Sequence, residues 1–214
     1  MLVEYMQGRM TPELFASSIV AFVVAITIHE FAHAYAAYRA GDDTAKLAGR
    51  VSLNPVDHLD PVGTILILLG GFGWGKPVPV NDLRLRRWRW HQIAVAAAGP
   101  GSNIATAAVL AGVWHILSRL SPTGYPSEGA ALLLLPTIGL SLALAVFNLI
   151  PVFPLDGHHI VGGLLPARMS EAYGRGLGGP QWGMTVLFLL VVTRTTHVMI
   201  DPAVTFCLGV LGMG

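Results

Sequence analysis

Two histidines four positions apart, His29 and His33, bracket a carboxylate in the run His29-Glu30-Phe31-Ala32-His33. On a helix, residues i and i+4 share one face with Cβ atoms about 5–6 Å apart, a separation at which two imidazoles can share a metal ion. Zinc takes imidazole nitrogen readily, and a catalytic zinc site usually has three protein ligands and an open position for water. The glutamate beside the first histidine is the expected general base toward that water. The alternative is a chance match to the pattern. It is weakened here because the run lies inside an apolar block, where each central charge costs about 2.5–3.5 kcal/mol and needs a functional or pairing reason.

A second polar cluster, Asn148-Leu149-Ile150-Pro151-Val152-Phe153-Pro154-Leu155-Asp156-Gly157, closes another apolar block. Asp156 is the natural third ligand for a two-histidine site. Taken alone it could merely cap a broken helix end; taken with the histidine pair at the same depth, the ligand reading prevails. Asn148, in the last turn of the apolar block, offers both a donor and an acceptor. The prolines stop the helix and free backbone carbonyls, which is tolerated at membrane depth only where protein or water covers them.

The elements that must position these groups are apolar and long. Hydrophobic residues make up 53% of the 214 positions and charged residues only 12%, where a soluble domain carries roughly 25%. Mean hydropathy is +0.61. Lipid is the expected surroundings of most of this chain, read as one polytopic all-α membrane domain over 1–214 with its core at about 14–165. Spanning helices are expected over Leu14–Ala40, Ile93–Leu117 and Ala130–Ile150. Pro61 to Phe72, ending in Gly70-Gly71, is too short to cross a hydrocarbon core of about 30 Å and reads as re-entrant or interfacial. Gly/Pro-broken sequence covers Pro151 to Pro180. The last apolar region, Trp182 to Gly214, is interrupted by Arg194, His197 and Asp201, and reads either as one tilted helix or as two short ones. No cleavable signal peptide is evident. The net charge of +1 gives no electrostatic argument for nucleic acid. The single cysteine, Cys207, excludes an internal disulfide and a cysteine-built metal site.

Loop charge sets the topology. The run Arg84-Leu85-Arg86-Arg87-Trp88-Arg89-Trp90 marks a cytoplasmic interface. The Ile93 helix then exits, Ser118 to Glu128 lies outside, and the Ala130 helix returns, so Asp156 comes back toward the cytoplasmic face. If Pro61 to Phe72 does not cross, the end of the first helix lies on that side too. Both polar clusters then share one depth and one side.

Between them lies Lys76-Pro77-Val78-Pro79-Val80. In an extended strand alternate residues present N–H and C=O groups to opposite edges. Pro77 and Pro79 have no N–H, so one edge lacks donors, while Val78 and Val80 leave the other competent for strand addition by a substrate. The alternative is an interfacial turn.

The chain resembles the site-2 proteases, the membrane-embedded zinc metalloproteases, in their short form without PDZ or CBS domains. The resemblance rests on His29-Glu30-Phe31-Ala32-His33, on Asn148 and Pro151 followed by Leu155-Asp156-Gly157, and on Ala98-Gly99-Pro100-Gly101-Ser102-Asn103, similar to a small-residue motif of the family's middle core helix. Leu53 to Thr64 and Gly73 to Asn81 are similar to short bacterial and archaeal members. The resemblance implies one zinc ion per chain on His29, His33 and Asp156, with Glu30 activating water. It implies that Asn148 binds the substrate backbone or polarises the scissile carbonyl. It further implies cleavage of transmembrane proteins in a prokaryotic plasma membrane, often releasing a tethered regulator after a first cut elsewhere. A homo-oligomer is compatible with the sequence.

Two other classes were weighed. A client-binding scaffold that keeps the fold is disfavoured by an intact Glu30. A zinc transporter needs ligands at more than one depth, whereas these converge on one. His58 and Asp60 either gate the site or hold a second ion, or Asp57 and Asp60 simply cap a turn. His158 and His159 either support the ligand shell or start a polar helix. Arg194, His197 and Asp201 have helical spacing and are expected to pair with one another. His91 and His115 read as interfacial.

Overall fold

The computed structural model describes residues 1–70, 73–193 and 195–213, with the side chains of Val3, Glu4, Trp88 and His197 excluded. The expectations for Phe72, for Arg194 and for the side chain of His197 therefore lie outside the described residues. Within them, regular structure is helical, and extended pairing is limited to one isolated bridge.

A short helix, α1 (Leu2–Met6), precedes α2 (Pro12–Ala40). Thr11 caps α2 by accepting the Leu14 N–H, and Pro12 follows in the first turn, where its missing N–H costs nothing. After α2 come α3 (Thr44–Leu47) and α4 (Pro61–Gly70), then α5 (Trp88–Leu120) and α6 (Glu128–Asn148). Helices α2, α5 and α6 pack against one another, and each is long and apolar enough to cross a membrane. Their contact faces carry small residues: Ala21, Ala25, Ala34 and Ala37 on α2, Ala107 and Ala111 on α5, and Ser141 and Ala145 on α6, all buried. Small side chains let backbones approach closely, which matters where lipid removes the hydrophobic drive between helices. The middle span begins five residues earlier than the expected Ile93, because the interfacial Arg/Trp run continues the helix to Trp88.

The short α4 does not cross. Leu59 forms an antiparallel bridge with Gly75, and the Lys76 N–H donates to the His58 carbonyl at 2.7 Å. The excursion between them therefore starts and ends at one level, as a re-entrant element must. Asp60 caps α4 by accepting the Gly63 N–H at 2.8 Å, which is the capping role weighed above. His58 is fully buried, and its Nε2–H donates to the Ser52 carbonyl at 2.7 Å. Burial holds this imidazole below its usual range.

The broken stretch after α6 folds into two short helices, α7 (Asp156–Leu164) and α8 (Ala167–Arg175). The last apolar region is two helices, α9 (Pro180–Val192) and α10 (Thr195–Val210). On α9, Leu187 packs with Ile150, Val152 and Leu155, at the end of α6 that leads to Asp156. On α10, Val204, Cys207 and Leu208 pack against Ala107, Ala111, Ile138 and Leu142, and His115 Nε2–H donates to the Leu211 carbonyl at 2.8 Å. The two thus run in sequence along the bundle, each too short to span alone.

Candidate active site

Helical spacing puts His29 and His33 on the buried face of α2, at 3% and 8% exposure. Asp156 arrives from elsewhere in the chain. Gly157 seats the start of α7 on the end of α6, where any Cβ would fall 2.5 Å from the Ile150 carbonyl oxygen. The loop between is tied by Phe153 N–H to Leu177 O at 3.0 Å and by Tyr173 O–H to Pro151 O at 2.7 Å. The result is a triangle of ligand atoms. His29 Nε2 and His33 Nε2 are 3.0 Å apart, and Asp156 Oδ2 lies 3.2 and 3.3 Å from them.

These edges suit a metal. Tetrahedral zinc with bonds of about 2.0–2.1 Å places neighbouring ligand atoms about 3.3 Å apart. Asp156 Oδ2 is buried with no hydrogen-bond partner, a lack that a bound cation would make good. His33 Nδ1 donates to the Val95 carbonyl at 2.7 Å. A carbonyl can only accept, so the Nε2 lone pair is left facing the triangle. Among the described residues, only His29, His33 and Asp156 gather as a three-ligand group.

The space is reserved by Gly99 on α5. A Cβ there would stand 2.6 Å from His33 Cε1 and 2.7 Å from His29 Cε1. Glu30, at 9% exposure, lies within electrostatic reach of His33 and Asp156, and its carboxylate accepts the Val78 N–H. Of the two amides expected to face a substrate, that of Val78 is thus directed to Glu30. Val80 is exposed and makes no hydrogen bond among the described residues. Asn148 is half-buried, and its Nδ2 donates to Leu144 O at 3.0 Å on its own helix, leaving the side-chain oxygen for a substrate.

His158 and His159 stack on one another outside the triangle, with His158 Nδ1–H donating to Leu155 O at 2.6 Å. Burial keeps both below the usual imidazole range. They line a cleft of about 390 Å³ beside α7, together with Arg89, Gln92, Ser170 and Tyr173. His91 accepts the Arg87 N–H at the start of α5. The sequence reading did not single out Val95 or Arg50 for the site. Val95 carries no side-chain signal, since its carbonyl does the work. Arg50 belongs to no motif and is one of several charges between Gly41 and Asp60.

The sequence profile of Peptidase family M50 matches residues 17–123 and 121–190. YwhC of Bacillus subtilis strain 168, whose name assigns it provisionally to the zinc metalloproteases, is 41% identical over 191 residues, covering 86% of this chain and 84% of its own. Rip2 of Mycobacterium tuberculosis H37Rv, named in the same way, is 31% identical over 186 residues, covering 84% and 67%. Rip2 of Mycolicibacterium smegmatis is 28% identical over 186 residues, covering 84% and 68%. No solved structure matches. With an M50 profile over most of its length, three helices fit to cross a membrane and a His-His-Asp group whose histidines lie within the first of them, the chain belongs to the site-2 protease family, as a membrane metalloprotease whose relatives imply zinc.

Proposed function

We propose that the protein is an intramembrane zinc endopeptidase that cuts peptide bonds in or near transmembrane segments of other membrane proteins, in regulated intramembrane proteolysis. The convergence of Asp156 on His29 and His33, beside Glu30 within an apolar helix, carries this reading. One zinc ion held there would supply Lewis acidity and an acidified water. Glu30 takes the proton from the attacking water and delivers it to the leaving nitrogen. Asn148 offers its side-chain oxygen to a substrate backbone N–H.

A bond inside a substrate helix has its carbonyl hydrogen-bonded and its backbone shielded, so the substrate must be locally extended. The segment 78–80 gives such a strand an edge, with the Val80 amide as its free donor. The Arg84–Arg89 run supports a site that faces the cytoplasm, in a multi-pass plasma-membrane protein.

The deciding experiment is Glu30→Gln in purified protein. The amide cannot take a proton but leaves both imidazoles in place. Cleavage of a transmembrane substrate in detergent is expected to fall at least ~10²-fold with zinc content unchanged. Near-normal cleavage by Glu30→Gln would remove the general-base assignment.

A further inference from the structure

Arg50 is 4% exposed, yet among the described residues no carboxylate pairs with it. Its charge lies within electrostatic reach of the Glu30 carboxylate, but a buried cation without a contact ion pair is costly, so its hydrogen bonds show how it is held. The guanidinium donates to two successive carbonyls of the strand opposite Glu30. Nη1 reaches Pro77 O at 3.0 Å, and Nη2 makes a short bond to Lys76 O. In a flat strand successive carbonyls point to opposite edges. Here both turn toward one fork, so the backbone is twisted at this point and held in one orientation. The next residue is Val78, whose N–H meets the Glu30 carboxylate.

The far end of the same segment is anchored independently. Asp42, fully buried, accepts the Asn81 N–H at 2.6 Å and the Thr44 N–H at 3.0 Å. Between these two anchors, 78–80 is the stretch left to face the site. A lysine could not replace the fork, since an ammonium is a point donor on a flexible stem.

We propose that Arg50 is a positioning residue: by clamping the Lys76 and Pro77 carbonyls it aims the Val78 N–H at Glu30 and so fixes the general base. The proposal rests on the protease reading for its kinetic consequence, but its structural part can be measured without it. The test compares wild type, Arg50→Gln and Arg50→Lys in detergent by three readouts: zinc per chain, hydrogen exchange of peptides over 74–82, and kcat and KM on a transmembrane substrate.

In both variants zinc is expected to stay at the wild-type level, and the Val78 amide to exchange at least ~10-fold faster as its alignment on Glu30 is lost. A misplaced base costs up to about 10²-fold in rate, so kcat should fall by ~10–100-fold and by more than KM rises. Wild-type exchange in Arg50→Gln would overturn the clamp. Loss of zinc together with activity in both variants would make Arg50 a general support of the fold and overturn the proposal as well. A wild-type protein that binds zinc but cuts nothing would defeat the protease reading, while the exchange comparison would still decide the clamp.

Discussion

At the scale of single residues, the ligand triangle depends on groups that are not ligands. Gly99 owes its place to the rings of His29 and His33, since even a methyl group there would overlap both. Removing Asp156 leaves two ligands, and two ligands hold zinc poorly. Asp156→Ala should therefore lose most of its zinc on dialysis against a mild chelator. Gly99→Ala keeps every ligand but displaces their rings, and is expected to weaken retention about 10–100-fold, the range seen when supporting groups are disturbed. Zinc per chain, measured by mass spectrometry after dialysis, checks both. Full occupancy in Gly99→Ala would mean that the rings can move aside and that the close approach is incidental.

At the scale of elements, the re-entrant hairpin built on α4 and the segment 76–81 is the part with work to divide. Its base is closed by the Leu59–Gly75 bridge, and its returning arm reaches Glu30. The amides of Val78 and Val80 have different assignments, which proline substitution separates because it removes only one N–H. Val80→Pro deletes the free donor and is expected to raise KM about tenfold at near-constant kcat, the loss of one substrate hydrogen bond at about 1.4 kcal/mol. Val78→Pro withdraws support from Glu30, and its loss should appear in kcat. Both should retain zinc. If Val80→Pro leaves KM unchanged, strand addition at this edge is wrong and the metal site stands untouched.

At the scale of the whole molecule, α9 and α10 decide a question of sides. Leu187 sits at the level of Ile150 and Leu155, while Leu211 meets His115 near the opposite end of α5. In the proposed topology the two helices together make one broken crossing, with residues 87 and 168 on the cytoplasmic side and 123 and 213 on the other. In a Cys207→Ser background, Arg87→Cys, Arg168→Cys, Thr123→Cys and Met213→Cys can be probed on intact cells with a membrane-impermeant thiol reagent. Labelling is expected at 123 and 213 alone. Labelling at 87 would break the topology, and labelling at 123 without 213 would make the α9–α10 pair a hairpin that returns.

What the sequence determined by itself was whatever is encoded over short separations. The i,i+4 spacing places His29 and His33 on one face, apolar length marks the three long helices, and Pro12, Pro151 and the glycines mark their ends. Loop charge put Asp156 on the same side as the histidine pair, because crossing a membrane leaves a chain only two sides, and the structure brings it within 3.3 Å of both rings. Tertiary structure alone decided which backbone groups meet those side chains. That the Val95 carbonyl orients His33, that the Val78 amide reaches Glu30 rather than standing free, and that Arg50 grips a strand 26 residues away are contacts of side chains with distant backbone atoms. Every residue carries the same carbonyl and nearly every one the same N–H, so such contacts leave no mark in the residue types. They exist only once α2, α5 and the re-entrant hairpin have packed.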